Sequence, residues 1–361
     1  MHVTRLLLML VAMLLGGCES MGYYLQSAEG QLDLMNRSRA ISEVLKDEQV
    51  PESTRERLRL VKRIRQFAVT HLALPENDSY RDYVDVGREA VVWSVVATPA
   101  LSLEPYQWCY PVIGCASYRG YFSHADAQAY AQRLQAEGWD TAVERVPAYS
   151  TLGWFDDPLP STVIDWPESD LAGLIFHELA HQRVYAADDS AFNESYASVV
   201  EKVGVRRWLL EASSEEALSS WRLKRRRERE FGGLIGDLRR ELEGLYQSDQ
   251  RREVKLLAKD AGFERLRGRY QALKKRWGGY AGFDRWMGRE LNNAHLASFQ
   301  TYSQWVPALR QLLADSGGDL KVFHQRCREL AKLRVPQRRQ ALLGLQKRAL
   351  ASNAPGHPAS L

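Results

Sequence analysis

Leu171-Ala-Gly-Leu-Ile-Phe-His177-Glu178-Leu-Ala-His181-Gln182 is the stretch whose reading decides the fold. Its apolar lead-in, Leu171 to Phe176, predicts a core helix. Residues four apart share one helix face, so His177 and His181 can point two imidazoles at a single metal ion. Glu178, one step round, reaches a water beside that ion. Two His and a Glu inside a core helix are costly without a partner such as a metal. With eight His in 361 residues, a chance His-Glu-x-x-His is on the order of one per cent. The pattern is that of a zinc hydrolase site in outline.

Such a site needs three protein ligands, an open position for water and a carboxylate base. His177 and His181 are two of the ligands, and Glu178 is the candidate base. The dozen residues after His181 let the chain turn and start an antiparallel helix, on which Phe192-Asn193-Glu194-Ser195-Tyr196-Ala197 lies. Glu194 is therefore the expected third ligand. Asp188 and Asp189 fall in the turn and read better as caps. Glu201, seven residues beyond Glu194, shares its face and is expected to accept a hydrogen bond from a ligand His. For the oxyanion of a tetrahedral intermediate, the candidates are His295 and Tyr302, seven apart on one helix face, Asn292 and Asn293 just before them, and Tyr149. Ordinary packing of His295 and Tyr302 against the metal helices explains those two equally well.

The net charge of +4 is small for 361 residues and gives no signal for nucleic acid or an anionic surface. Lys224-Arg225-Arg226-Arg227 passes into Glu228 and Glu230 and reads as a solvated helix face. The N-terminus is more specific, with a basic start at Met1 to Arg5 and an apolar run from Leu6 to Leu15 too short to span a bilayer. Residues 1–17 therefore read as a signal peptide. Leu15-Gly16-Gly17-Cys18 resembles a bacterial lipobox, which implies lipid attachment at Cys18 and a protein anchored to the membrane. Glu19 after that cysteine favours outer-membrane sorting, facing the periplasm. Cys109 and Cys115 are close in an exported chain and are candidates for a disulfide. Cys327 reads as a small buried apolar residue.

The fold class expected is α+β: a small central sheet followed by a mostly helical C-terminal half. Residues 18–80 are the lipidated N-terminus and a helical segment. Residues 81–165 hold the sheet, with strands around Ala90 to Ala97, Trp108 to Tyr121 and Asp140 to Pro147 and a helix over Ser123 to Glu137. Residues 166–351 hold the metal-motif helices, the first from about Pro167 to Ala186, and then helices broken at Gly232-Gly233, Gly278-Gly279 and Gly317-Gly318 with a stop at Pro336. Residues 352–361 read as a disordered tail.

His177-Glu178-Leu-Ala-His181 with Asn193-Glu194-Ser-Tyr-Ala197 resembles the gluzincin metallopeptidases. Tyr118-Arg-Gly-Tyr-Phe122, Tyr149 to Pro158 and Asn292-Asn293-Ala294 further resemble a bacterial aminopeptidase-like family, usually of lipoproteins. The resemblance implies a zincin-like fold, Zn2+, a peptide substrate and hydrolysis of peptide bonds in the cell envelope. Two features depart from it: a short interval from His181 to Glu194, and no Gly-x-Met-Glu-Asn stretch to anchor a free amine. The other expectation is a zinc-bearing envelope scaffold without catalysis, its C-terminal helices binding a partner.

Overall fold

The computed structural model describes residues 21–110, 114–149, 151, 155–212, 214–300 and 304–352. Residues 1–17, which read as a signal peptide, Cys18, Trp154, Tyr302 and the residues after Ser352 lie outside them. Within them the chain is α+β. Helix α1 covers 21–37, and a short pair, β1 (Arg39–Ala40) and α2 (Ile41–Val44), leads to α3 (Glu52–Leu72). Strands β2 (Asp82–Val84), β3 (Val92–Pro99), β4 (Trp108–Tyr110), β5 (Gly114–Ala116) and β6 (Arg119–Tyr121) precede α4 (His124–Ala136), β7 (Trp139–Val146) and β8 (Leu159–Pro160). All the remaining α-helices follow: α5 (Glu168–Arg183), α6 (Ser190–Ala212), α7 (Glu215–Gln247), α8 (Arg252–Arg276), α9 (Asp284–Met287), α10 (Asn293–Gln300), α11 (Val306–Ala314), α12 (Leu320–Lys332) and α13 (Val335–Ser352).

The larger antiparallel sheet has the order β6-β3-β7, with β3 and β7 paired from Val92 and Val146 to Pro99 and Trp139. Side chains alternate between faces along a strand. Val95 accordingly packs with Ala127 and Ala131 of α4, while its neighbour Val96 packs with Ala294 and Ala297 of α10. Covering on both faces explains why Val95, Val96 and Ala97 are all buried in succession along β3. A second sheet, β1-β2-β8, and the β4-β5 ribbon complete the strands among the described residues. Cys109 and Cys115 face each other across that ribbon and form a disulfide. The helix after β6 begins where Ser123 Oγ accepts from the Asp126 amide at 3.2 Å.

The main core joins α3, α5, α6, α11, α12 and α13, with Phe176, Leu179, Phe192, Tyr196 and Phe323 fully buried. Its centre is the antiparallel contact of α5 with α6. Gly204 permits that approach, because a Cβ there would stand 2.7 Å from both Phe176 Cδ2 and Leu72 Cδ1. A second core lies between α7 and α8, closed by Met287, Leu291 and Leu296.

Several boundaries differ from the sequence expectation. Helix α5 stops at Arg183, because Val184 is extended at φ −142° and ψ 125°. Gly278-Gly279 and Gly317-Gly318 do end helices, all four with positive φ. Gly232-Gly233 does not: α7 runs through it, held by Phe231, Ile235, Leu238 and Leu242 packing in the second core. Packing of an apolar stripe outweighs the helix penalty of about 1 kcal/mol per glycine. Pro336 opens α13 rather than stopping a helix, since the missing N–H costs nothing in a first turn.

Candidate metal centre

Pro167 precedes α5, and Glu168 and Asp170 complement the positive end of its first turn. Three turns on, the motif faces α6. There Asp189 Oδ1 caps the helix by accepting from the Phe192 amide at 2.9 Å, as its place in the turn suggested. Asp188 instead accepts from the fully buried Arg338 of α13, at 3.0 and 2.7 Å. Asn193 closes the turn from within, its Oδ1 accepting from Ala186 N at 2.8 Å and its Nδ2 donating to Ala186 O at 2.7 Å. Glu194 is thereby fixed one residue later.

The packing brings three donor groups together. His177 Nε2 lies 3.2 Å from Glu194 Oε2, and His181 Nε2 lies 3.6 Å from Glu194 Oε1. One ligand atom from each residue falls within 4.8 Å of the others, a spacing that can hold a metal ion. On the far side of the first imidazole, Nδ1 of His177 stands 3.3 Å from Glu201 Oε2. Gly173 makes room for that carboxylate, a Cβ there falling 3.4 Å from Glu201 Cγ.

The electrostatics favour a cation at this point. Burial lowers the pKa of His177, but hydrogen bonds to Glu194 and Glu201 and the charge of Glu178 overcome this and raise it to about 10. Burial likewise raises Glu194 and Glu201, yet the His177 hydrogen bond leaves both below the usual carboxylate range. Two carboxylates thus draw a positive charge onto the ring between them. A divalent cation supplies charge of the same sign, and two imidazoles with a carboxylate are a zinc ligand set. His181, pushed down to about 4 by burial and by the His177 charge, is already in the neutral form a ligand needs.

Glu178 is separate from the three converging donors. Burial raises its carboxyl to about 7, opposed by His177 and reinforced by Glu194, Asp157 and Glu201. Behind it, Gln182 Nε2 donates to Ser79 Oγ at 3.1 Å and to Asp157 Oδ2 at 3.4 Å, and Asp157 also accepts from Thr151. This network fastens the end of α5 to the loop that precedes it. Tyr80, buried and held at φ 60°, adjoins Glu178 and Asp157.

The oxyanion candidates disperse. Tyr149 donates its hydroxyl to Gln31 and packs edge-on against Phe122. His295 is bound by Asn292 and lines a cavity of about 450 Å³ between α4, β7 and the start of α10. Asn293 is wholly buried, donating to the Ala100 and Ser102 carbonyls at 3.1 and 3.0 Å and tying α10 to the loop after β3. Two tyrosines without an assigned role stand closer. Tyr118 is pushed up to about 12 by burial of its hydroxyl end, with Glu194, Tyr185 and Glu178 adding to the shift. Tyr185 is raised by burial and by Glu194, and its ring centre lies 6.5 Å from that of His181. The resemblance of the stretch from Tyr118 to Phe122 was the one sequence signal available for the first of them.

Arg225 also departs from its reading as a solvated residue. From α7 it reaches Glu228 at 2.6 Å and Glu201 at 3.9 Å, so it stands behind the carboxylate that touches His177.

The fold and the site define an α+β protein with a His-His-Glu cluster between two antiparallel helices. Residues 22–342 match the family described as "Putative aminopeptidase", and the chain belongs to that family. No curated protein and no solved structure matches it.

Proposed function

We propose that this protein is a zinc-dependent metallopeptidase of zincin type, with His177, His181 and Glu194 holding the ion. The observation that carries the reading is the convergence of two imidazoles and one carboxylate, a ligand atom of each within 4.8 Å of the others, supported by a family whose name implies a peptide substrate. Zinc bound there would polarise a peptide carbonyl and lower the pKa of water towards ~7. Glu178 then takes a proton from water and passes it to the leaving amine. Glu201 accepts from His177 Nδ1, which directs Nε2 to the ion. Tyr118 and Tyr185, both partly exposed beside Glu194, are the hydroxyls available to the oxyanion. The lipobox-like stretch ending in Cys18 supports a lipid-anchored location facing the periplasm.

Metal analysis tests this directly. Protein prepared with ample zinc is expected to carry about one equivalent, and His177→Ala to carry little; negligible metal in both ends the proposal. Acetylating the amine of a cleaved peptide separates the two modes of attack, because an aminopeptidase loses that substrate and an endopeptidase keeps it.

Arg225→Gln is expected to weaken zinc binding roughly tenfold, measured by competition with a chromogenic chelator, because Glu201 loses its supporting charge. Unchanged affinity would reduce Arg225 to an ion pair with Glu228.

A further inference from the structure

The small net charge conceals a strong asymmetry. From Leu320 to the C-terminus nine Lys and Arg stand against one Glu, and no acid follows Glu329. Because the whole chain is only +4, the remainder is slightly acidic. Part of this charge is used internally: Arg338 pairs with Asp188, and Arg348 lies 3.0 Å from Asp315. Lys332, Arg334, Arg339 and Lys347 are exposed, and their side chains form no hydrogen bond or ion pair with a described residue.

Large apolar side chains are interleaved with these four. Leu333 and Val335 flank Arg334 where α12 passes into α13, at 37% and 39% exposure. Along α13, Arg339, Leu343, Lys347 and Leu350 recur at four, four and three residues and so share one face. The leucines there are 44% and 69% exposed. The opposite face, with Leu342, Leu345 and Ala349, is buried. Helix α13 thus spends one stripe on the fold and offers a second, basic and apolar together.

We propose that the segment Lys332–Leu350 is a contact surface for an anionic phospholipid membrane. Each half of the pattern has a role there: the Lys and Arg side chains meet headgroup phosphates, and the leucines enter the boundary between headgroups and acyl chains. A nucleic acid would use the charges but gain little from exposed leucines. The surface is independent of the metal cluster, so the proposal stands or falls apart from the peptidase reading.

The experiment uses the full chain carrying Cys18→Ser, so that no acyl group contributes, and measures co-sedimentation with two vesicle compositions at low salt. One is pure phosphatidylcholine and the other contains 30% phosphatidylglycerol. Binding to the anionic vesicles is expected to exceed that to neutral ones and to weaken as salt is raised. Adding Arg339→Glu and Lys347→Glu should lower it at least about thirtyfold. Leu343→Ser with Leu350→Ser should lower it less, with the salt dependence unchanged. Because all four positions are exposed, the thermal midpoints serve as the control for folding. Anionic-vesicle binding equal in the parent and the charge-reversed chain overturns the proposal. So does tighter binding to a duplex oligonucleotide than to the vesicles at physiological salt.

Discussion

Glu178→Gln is expected to slow peptide hydrolysis by about 10²–10⁴-fold while leaving zinc content and thermal stability near those of the parent chain. Glutamine keeps the shape of the side chain and removes only the carboxylate that accepts a proton. Glu178 lies outside the set of three converging donors, so the metal should stay. Its surroundings are those of a base held near neutrality: burial and the carboxylates of Glu194, Asp157 and Glu201 raise it to about 7 against the opposing charge of His177. Turnover of a peptide library should therefore collapse in the variant. Glu178→Asp, which retains the carboxylate but draws it back by one methylene, should recover part of the rate. Equal cleavage by parent and glutamine variant would expose a contaminating peptidase. Absence of cleavage by both, with zinc bound, would favour a scaffold. Loss of zinc together with activity would make Glu178 a ligand and remove it as the base.

The parts of this site legible in the sequence are those fixed by one helix or by two successive helices. The spacing of His177 and His181 is a property of a single helix, and the short turn constrains how α6 returns, so Glu194 and Glu201 could be placed by counting. The opposite packing of Val95 and Val96 shows why this strand carries successive apolar residues rather than a strict alternation. Contacts set by distant elements left no such trace. Tyr118 arrives from the turn before β6 and Arg225 from the first third of α7, and neither placement follows from local periodicity. Asn292, Asn293 and His295 were polar residues near a helix start, which is equally the pattern of a cap and of a binding site. The structure uses the two asparagines to join α10 to the sheet. The glycine pair in α7 failed as a break for a related reason: its neighbours pack on α8, and tertiary burial overrides local preference.

Acid should destabilise the fold between about pH 6.5 and 4, and His324 accounts for a measurable share. This side chain of α12 is wholly buried. Its Nε2–H donates to the Leu72 carbonyl at 2.9 Å, so Nδ1 is left to accept from the Tyr196 hydroxyl at 2.7 Å. The neutral ring satisfies both neighbours, and a proton on Nδ1 would face a donor. Burial lowers the pKa to about 4, with Arg183 and Arg328 acting in the same direction and the Leu72 hydrogen bond and Asp319 opposing them. The folded value lies below the unfolded one of about 6.5. Above pH 6.5 neither state is protonated, and stability is unaffected. As pH falls from 6.5 towards 4 the unfolded chain takes a proton that the folded chain refuses, so stability declines, by about 3 kcal/mol in all. Below 4 both states are protonated and the decline ends. His324→Gln removes the titration, so the variant should start less stable at pH 7.5 by roughly 1–3 kcal/mol yet lose less on acidification. Urea unfolding at half-unit steps from pH 7.5 to 4, with chelator in both samples, should show the two stability curves converging. Parallel curves across that range would mean that His324 takes up its proton without cost, and the link between α3 and α12 would then not depend on a neutral ring.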